Sequence, residues 1–326
     1  EIKGYKSIRD ARIELHSLNV LIGPNGAGKS NLISVFELVR QIAERRLQTY
    51  VATQGGANSL LHYGRATTDR IDLFLTFSQG SGGYRNAYKC WLEPTVRDTL
   101  IFASERTYFH NAMRFASPSE IELGQGHEET RLEYAKPDER WGVAHYVLTA
   151  MSSWRVYHFH DTSRSAKVKA TGNLNDNAAL RDDASNLAAY LYLLREQHRA
   201  EYDGIVATIR SVAPFFDDFV LRPDPLNQEK IRLEWRDRNS DAYFDASSLS
   251  DGTLRFMCLA TLFLMPNPPD TIIVDEPELG LHPYAISVLA AMMRSAATQT
   301  QVIASTQSVT LVNQFAPEDV IVTDRI

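Results

Sequence analysis

The sequence has 326 residues, with 34 Lys and Arg against 40 Asp and Glu and a net charge of −6. That length supports one large domain or two modest ones with real cores, and the mild acidity argues against a globally basic coat for nucleic acid while leaving room for a local patch. The longest apolar run, Phe256 to Met265, is about ten residues, too short to cross a bilayer, so no membrane contact is expected.

Two cysteines, Cys90 and Cys258, sit in apolar surroundings and make no disulfide framework, so a reducing cytoplasm is the expected compartment. The start, "EIKGYKSIRD", is polar, lacks an initiator Met and reads as trimmed, without a signal peptide. The segment "IKGYKSIRDARIELH" reads as two short strands around a Gly turn. Leu18 to Gly23 is a short apolar run ending in Gly, a buried strand. From Lys29 the period turns helical, with Leu32, Val35, Phe36, Val39, Ile42, Ala43 and Leu47 on one face. Strands are expected at 71–77, 86–92 and 98–105. Residues 106–140 read as an exposed polar insertion.

A strand at "SSWRVYHFHDTS" (152–163) leads into a polar loop. An amphipathic helix follows through Leu187, Leu191 and Leu194, and a second covers 199–213. Two strands come next, near 218–222 and 230–236. Then the chain runs "SLSDGT", a buried helix over 254–265, a Pro-rich turn, the strand "TIIV", a helix over 284–297, the strand "QVIAST" and a last strand in "DVIVTD". Strand and helix alternate through this last third, as in an α/β fold with a parallel sheet, whereas the middle is more antiparallel.

"GPNGAGKS" fits the P-loop pattern, Gly, four residues, then Gly-Lys-Ser, with a strand before it and a helix after. Gly23, Pro24, Asn25, Gly26, Ala27 and Gly28 would curl backbone N–H groups around the phosphates of ATP, at a helix N-terminus that adds partial positive charge. Lys29 would neutralise phosphate oxygens, Ser30 would ligate Mg²⁺, and Asn31 completes the first turn. In "TIIVDEPE", the apolar run ends in Asp275, which puts a carboxylate at the end of a buried strand where α/β sheets bind ligands. Asp275 is the second candidate Mg²⁺ ligand. Glu276, beside it, is the candidate base or positioner for the attacking water.

Two adjacent acids point to the ATP-binding-cassette class, and no guanine-reading Asn-Lys-x-Asp motif is present. In that class a Ser-x-Gly motif precedes the Mg²⁺-binding strand, and "LSDGT" (249–253) fits. Ser250 and Gly252 cap a helix in any case. The added expectation is that they bind the γ-phosphate of ATP held by a second subunit.

"IKGYKSI", "GPNGAGKS", "LSDGT", "DEPELGLHP" and "STQS" together resemble the RecF/SMC-like branch of the cassette ATPases, including the ATPase domains of OLD-family proteins. The likeness covers roughly the two ends, 1–50 and 245–326. It implies an α/β P-loop head with a mixed or parallel central sheet, an antiparallel subdomain and a helical lobe. It also implies a homodimer with ATP sandwiched between heads, and work on DNA in repair or phage defence. The chain divides by this reading into a P-loop part (1–105), the polar insertion (106–150), a helical lobe (151–247) and a C-terminal ATPase part (248–326). Too little chain separates Ser30 from Ser250 for a long coiled-coil arm, and too little follows "STQS" for a nuclease domain, so a nuclease or toxin is expected on a separate effector.

Where the resemblance expects His, this chain has Gln307, which can hydrogen-bond but cannot carry charge, so slow hydrolysis is expected. Leu281 and His282 match the loop that crosses to the partner subunit. The Mg²⁺-sensing glutamine has only Gln125, or the alternative polar loop at His158 and His160, as candidates. Lys6 and Ser7 resemble a strand from which a basic residue reaches nucleotide. Arg40, Arg45, Arg46, Lys167 and Lys169 are candidate DNA contacts. The rival reading is a nucleotide-dependent switch subunit that shapes a protein-binding surface without touching DNA.

Overall fold

The computed structural model describes residues 1–78, 84–111, 113–134 and 142–324. The chain forms two compact units, one of Glu1–Glu14 with Ser30–Trp154 and one of Leu15–Lys29 with Arg155–Ile326.

In chain order the first strands are β1 (Ile2–Tyr5), β2 (Ile8–Ala11) and β3 (Leu18–Ile22), the last belonging to the second unit. Helices α1 (Lys29–Ala43), α2 (Leu47–Thr53) and α3 (Ala57–Leu60) follow, then β4 (Ile71–Ser78), β5 (Tyr84–Pro94), β6 (Leu100–Asn111), β7 (Ser119–Gly124) and α4 (Val143–Ser153). The first unit is built on an antiparallel sheet in the order β2-β1-β4-β5-β6-β7. The apolar face of α1 is buried as its period predicts, and Phe36 meets the edge of Trp154 with ring centroids 5.1 Å apart. The helix ends at Ala43, short of Leu47, because Arg45 takes a left-handed φ of 56° and Leu47 starts α2.

Two expectations are corrected in this unit. The turn between β1 and β2 is Lys6–Ser7, with Lys6 at φ 46°, whereas Gly4 lies inside β1. Gly4 is needed there because a Cβ would stand 2.4 Å from the Arg70 carbonyl oxygen. The stretch read as a polar insertion carries β6 on to Asn111 and adds the edge strand β7, and α4 follows at Val143. Residues 112 and 135–140 of that stretch lie outside the described residues. Its polarity hid the strands because charges are satisfied inside the sheet. The fully buried Glu105 carboxylate accepts the Tyr88 hydroxyl at 2.8 Å and the Arg131 N–H at 2.9 Å, and meets His127 Nε2 at 2.8 Å. Arg106 pairs with Glu120 across the β6–β7 ladder at 2.7 Å.

The second unit adds β8 (Trp154–Tyr157), β9 (Gly172–Asn173), α5 (Leu187–Gln197), α6 (Arg199–Val212) and β10 (Phe216–Phe219). Then come β11 (Lys230–Ile231), β12 (Glu234–Asp237), β13 (Tyr243–Asp245), α7 (Asp251–Leu264), β14 (Thr271–Asp275), α8 (Pro283–Ala296), β15 (Gln301–Thr306), α9 (Val309–Val312) and β16 (Val320–Val322). Its main sheet runs β16-β3-β15-β14-β8, with β16, β3, β15 and β14 parallel. Smaller antiparallel sheets, β10-β12-β13 and β9-β11, stand apart from it in the topology. β14 and β15 are buried along nearly their whole length, which is why they read as unbroken apolar runs. Leu191, Leu194, Ile205, Ile209, Phe256, Leu259, Leu289 and Met293 from four helices share one core with Ile272, Val274 and Val302 of the sheet.

Candidate functional site

In the register of the parallel strands, Asp275 lies opposite Ser305, Ser305 opposite Leu21, and Thr306 opposite Ile22. The ends of β14, β15 and β3 therefore finish level. Asp275 and Glu276, Gln307, and the Gly23–Lys29 loop all issue from one edge of the sheet, the edge where α/β folds hold ligands.

The loop is shaped for close approach to the backbone. A Cβ on Gly23 would stand 2.2 Å from the Thr323 carbonyl oxygen, and Gly26 and Gly28 have φ of 82° and 98°. Lys29 is 5% exposed and donates from Nζ to the carbonyls of Gly23 at 2.6 Å and Pro24 at 3.1 Å. It makes no ion pair with a carboxylate among the described residues. A buried ammonium held only by neutral carbonyls is short of an anion, so the loop fits a phosphate chain. Pro24, Asn25 and Gly26 are exposed along its rim, with Ala27 N–H closing a turn onto Pro24 at 3.2 Å. Ser30 is exposed at the start of α1. Asn31 donates to Ser7 Oγ at 2.7 Å within the first unit.

Asp275 is half-buried and accepts a hydrogen bond from the Ser305 hydroxyl. Glu276 has a left-handed φ of 42°, an uncommon conformation for a side chain of its kind that costs roughly 1–3 kcal/mol. Its N–H donates back to Ser305 O at 2.9 Å, and its carboxylate accepts the side-chain amide of Gln307. The strained turn thus sends two successive carboxylates in different directions. The Asp275 carboxylate is a hard oxygen donor of the kind that suits a cation such as Mg²⁺. Among the described residues no group of three or more His, Cys, Asp or Glu could hold a metal ion.

Ser250 caps α7, its Oγ accepting Thr253 N–H at 3.2 Å, so the helix starts three residues before the expected 254. Ser250 is exposed. Gly252 is pressed against the loop after β14, where a Cβ would meet Gly280 O at 2.3 Å. His282 caps α8, and Leu279, Gly280 and His282 are exposed between the two helices' starts.

Several residues of this site were not singled out from sequence. Ser305 holds Asp275, and Thr306 donates to the buried Glu278. Arg255, the last letter of "SDGTLR", is 6% exposed and donates to three carbonyls: Phe159 at 2.9 Å, His160 at 3.2 Å, and Leu279. The groove around Asp275 and Glu276 is lined also by Tyr157, Phe159, His160 and Arg255. Desolvation lowers the His160 pKa from its ordinary 6.5, with Asp275 pulling the other way. The signal for Ser305 was its place in "STQS". An arginine inside an apolar helix was the signal for Arg255.

The remaining expected residues have the following surroundings. Lys6 donates to Ser34 Oγ at 3.3 Å and Gln54 Oε1 at 3.0 Å within the first unit. Gln125 is exposed beyond β7 in that unit. His158 and His160 lie past the end of β8 with ring centroids 6.4 Å apart. The candidate DNA-contacting cations are engaged inside the chain. Arg40 pairs with Glu44 at 2.8 Å, Arg45 with Glu133 at 3.4 Å, Arg46 with Glu44 at 3.6 Å and Lys167 with Asp183 at 3.0 Å. Lys169 donates to Thr162 O at 2.6 Å. No helix is long and apolar enough to cross a membrane among the described residues.

Residues 18–85 and 97–313 match a family model described as "AAA domain, putative AbiEii toxin, Type IV TA system". No match was found among curated proteins. Among solved structures, the chain is similar to an SmcHead bound to the C-winged helix domain of ScpA, at 14% identity and TM-score 0.57, with 96% of this chain and 90% of that one covered. It is also similar to an Smc head domain with an extended coiled coil bound to the C-terminal domain of ScpA derived from Pyrococcus furiosus. There the identity is 13% and the TM-score 0.51, with 100% and 92% covered. At such identities the likeness is one of fold: an α/β P-loop ATPase head.

Proposed function

The chain belongs to the family of the AAA domain and putative AbiEii toxin of type IV toxin–antitoxin systems, a P-loop ATPase of the SMC/RecF-like kind, and from that membership we propose that it hydrolyses ATP as a dimer of heads. The observation that carries the reading is the level ending of β3, β14 and β15, which gathers Lys29, Asp275, Glu276 and Gln307 at one sheet edge. Gly23–Ser30 and Asn31 would hold the triphosphate, and Ser30 and Asp275 would hold Mg²⁺. Held there, Mg²⁺ would supply positive charge against the phosphates. Glu276 orients the attacking water, and Gln307 holds Glu276 and can meet the γ-phosphate.

Ser250 is exposed at a capped helix start, its Oγ bonded to the Thr253 N–H and hydroxyl, and the start of a helix favours an anion. Ser250 and Gly252 serve the ATP of a second copy, so that each site is completed by the partner. The output is a clamp that acts on DNA, in repair or phage defence, with cutting or toxicity supplied by a separate effector. Turnover is slow because Gln307 cannot carry the positive charge of a protonated histidine. ATP binding, turnover and particle size of Glu276→Gln test the reading: trapped ATP-bound dimers are expected. A variant that neither binds ATP nor dimerises overturns it.

One observation favours a second reading. The five cations expected to meet DNA are all engaged in ion pairs or carbonyl contacts within the chain. A nucleotide-dependent switch subunit, shaping a protein-binding surface without DNA, fits that. Stimulation of turnover by DNA supports the clamp; a protein complex indifferent to DNA supports the switch.

A further inference from the structure

Glu278 has no part in the chemistry just described, yet it is 8% exposed and three residues past Asp275. One oxygen, Oε1, accepts the Thr306 hydroxyl; the other, Oε2, is buried without a hydrogen-bond partner. A buried carboxyl with one oxygen unpartnered is costly, so its place there calls for a compensating role.

Its neighbours indicate the role. Thr306 Oγ1 also accepts the Ser308 N–H at 2.9 Å, and Gln307, between these two residues, has its side-chain amide on Glu276. On its other side, Glu278 leads directly into the exposed loop. Its carbonyl accepts the Leu281 N–H at 3.0 Å, and the Glu276 carbonyl accepts the Leu279 N–H at 3.2 Å. Leu279 is 49% exposed at the tip of that loop. One buried side chain therefore joins the exposed 279–282 loop to the turn that carries Gln307.

We propose that Glu278 is a positioning residue for hydrolysis: its carboxyl fixes the Thr306–Ser308 turn to the 279–282 loop, and so sets Gln307 against Glu276. This rests on the ATPase reading above. Contact made at Leu279 by a second copy is transmitted to Gln307 through this one side chain, without any direct contact between Glu278 and nucleotide. Burial raises the Glu278 pKa, opposed by the Thr306 hydroxyl and nearby backbone N–H groups, so a neutral side chain of the same shape preserves the link.

Steady-state ATP turnover of the full chain tests this. Glu278→Ala lowers kcat by about tenfold or more and leaves the ATP KM within about twofold, because binding groups are untouched. Glu278→Gln, which keeps the acceptor for Thr306, restores most of kcat. Adding Gln307→Ala to Glu278→Ala causes no further loss, since both act on Glu276 through one path. Multiplying losses in the double variant, or full turnover in Glu278→Ala, overturn the inference while leaving the ATPase reading intact. Should Glu278→Ala not fold, Thr306→Val removes the same bond and is expected to lower kcat likewise; wild-type turnover there overturns the inference. A wild-type chain without turnover overturns the ATPase reading, and this inference with it.

Discussion

The carbonyl oxygen of Gly280 lies 2.3 Å from where a Cβ at position 252 would stand. The start of α7 and the loop after β14 are thus in backbone contact, and only glycine at 252 allows it. Gly252→Ala must push the loop or the helix start away. A loss of roughly 1–3 kcal/mol in unfolding free energy is expected, as for other forced overpacking. Denaturant melts of the two proteins measure it, and equal midpoints would show that the loop yields freely.

Ser250→Arg tests the composite site. The exposed hydroxyl is replaced by a bulky cation, while the P-loop and Asp275 are untouched. ATP binding is expected to persist, with dimerisation and turnover abolished. Loss of the cap costs about 1 kcal/mol, too little to unfold the head. Normal turnover in this variant would leave Ser250 as a helix cap alone.

Arg255 joins α7 to the loop after β8 and to Leu279 through three backbone carbonyls. Arg255→Met keeps length and removes every donor, so three poorly solvated carbonyls lose their partner. A destabilisation on the order of 2–4 kcal/mol is expected. Thermal melting measures it. Arg255→Lys recovers little, because one ammonium cannot reproduce the planar fork that reaches three acceptors.

The raised pKa of Glu278 has a consequence for stability. Its ordinary value is 4.5, and burial holds the folded value above that. Below the unfolded value both states are protonated and no penalty exists. As pH rises from about there through the folded value, the unfolded state sheds the proton more readily, and stability falls. Glu278→Gln removes that penalty. Its melting temperature is expected to exceed that of the wild type at neutral pH, with the gap closing as pH falls toward the ordinary carboxylate value. A gap that does not change with pH would show that burial is not the cause.

Much of this site was legible because its chemistry sits on buried parallel strands. "LNVLI", "TIIVD" and "QVIAST" are apolar runs ending in polar letters, and such strands have few alternative readings. The first unit was harder. The strand expected over 98–105 is the first half of β6, but its continuation to Asn111 and β7 place Arg106, Glu120 and Glu122 among strand residues, so neither alternation nor apolarity marks them. α4 was missed because it was read as part of the polar insertion. The turn at Lys6–Ser7 was missed because Gly4, the apparent turn residue, serves a close backbone approach instead. Glu278 gave only composition, and Arg255 only an arginine inside an apolar helix, because their partners lie 28 and 96 residues away in sequence.

The strand β3, near the start of the chain, is hydrogen-bonded on one side to β15 and on the other to β16, whose last residue is Val322. Thr323 then donates to Ile22 O at 2.7 Å, directly before the P-loop. During synthesis, residues 18–29 emerge from the ribosome early but have no sheet to enter until almost three hundred more have followed. Closing so long a loop is slow. The first unit's sheet needs no residue beyond β7 and can form while translation continues. A nascent chain stalled before β15 would therefore carry the P-loop sequence without a P-loop, and nucleotide could influence only the final stage of its folding.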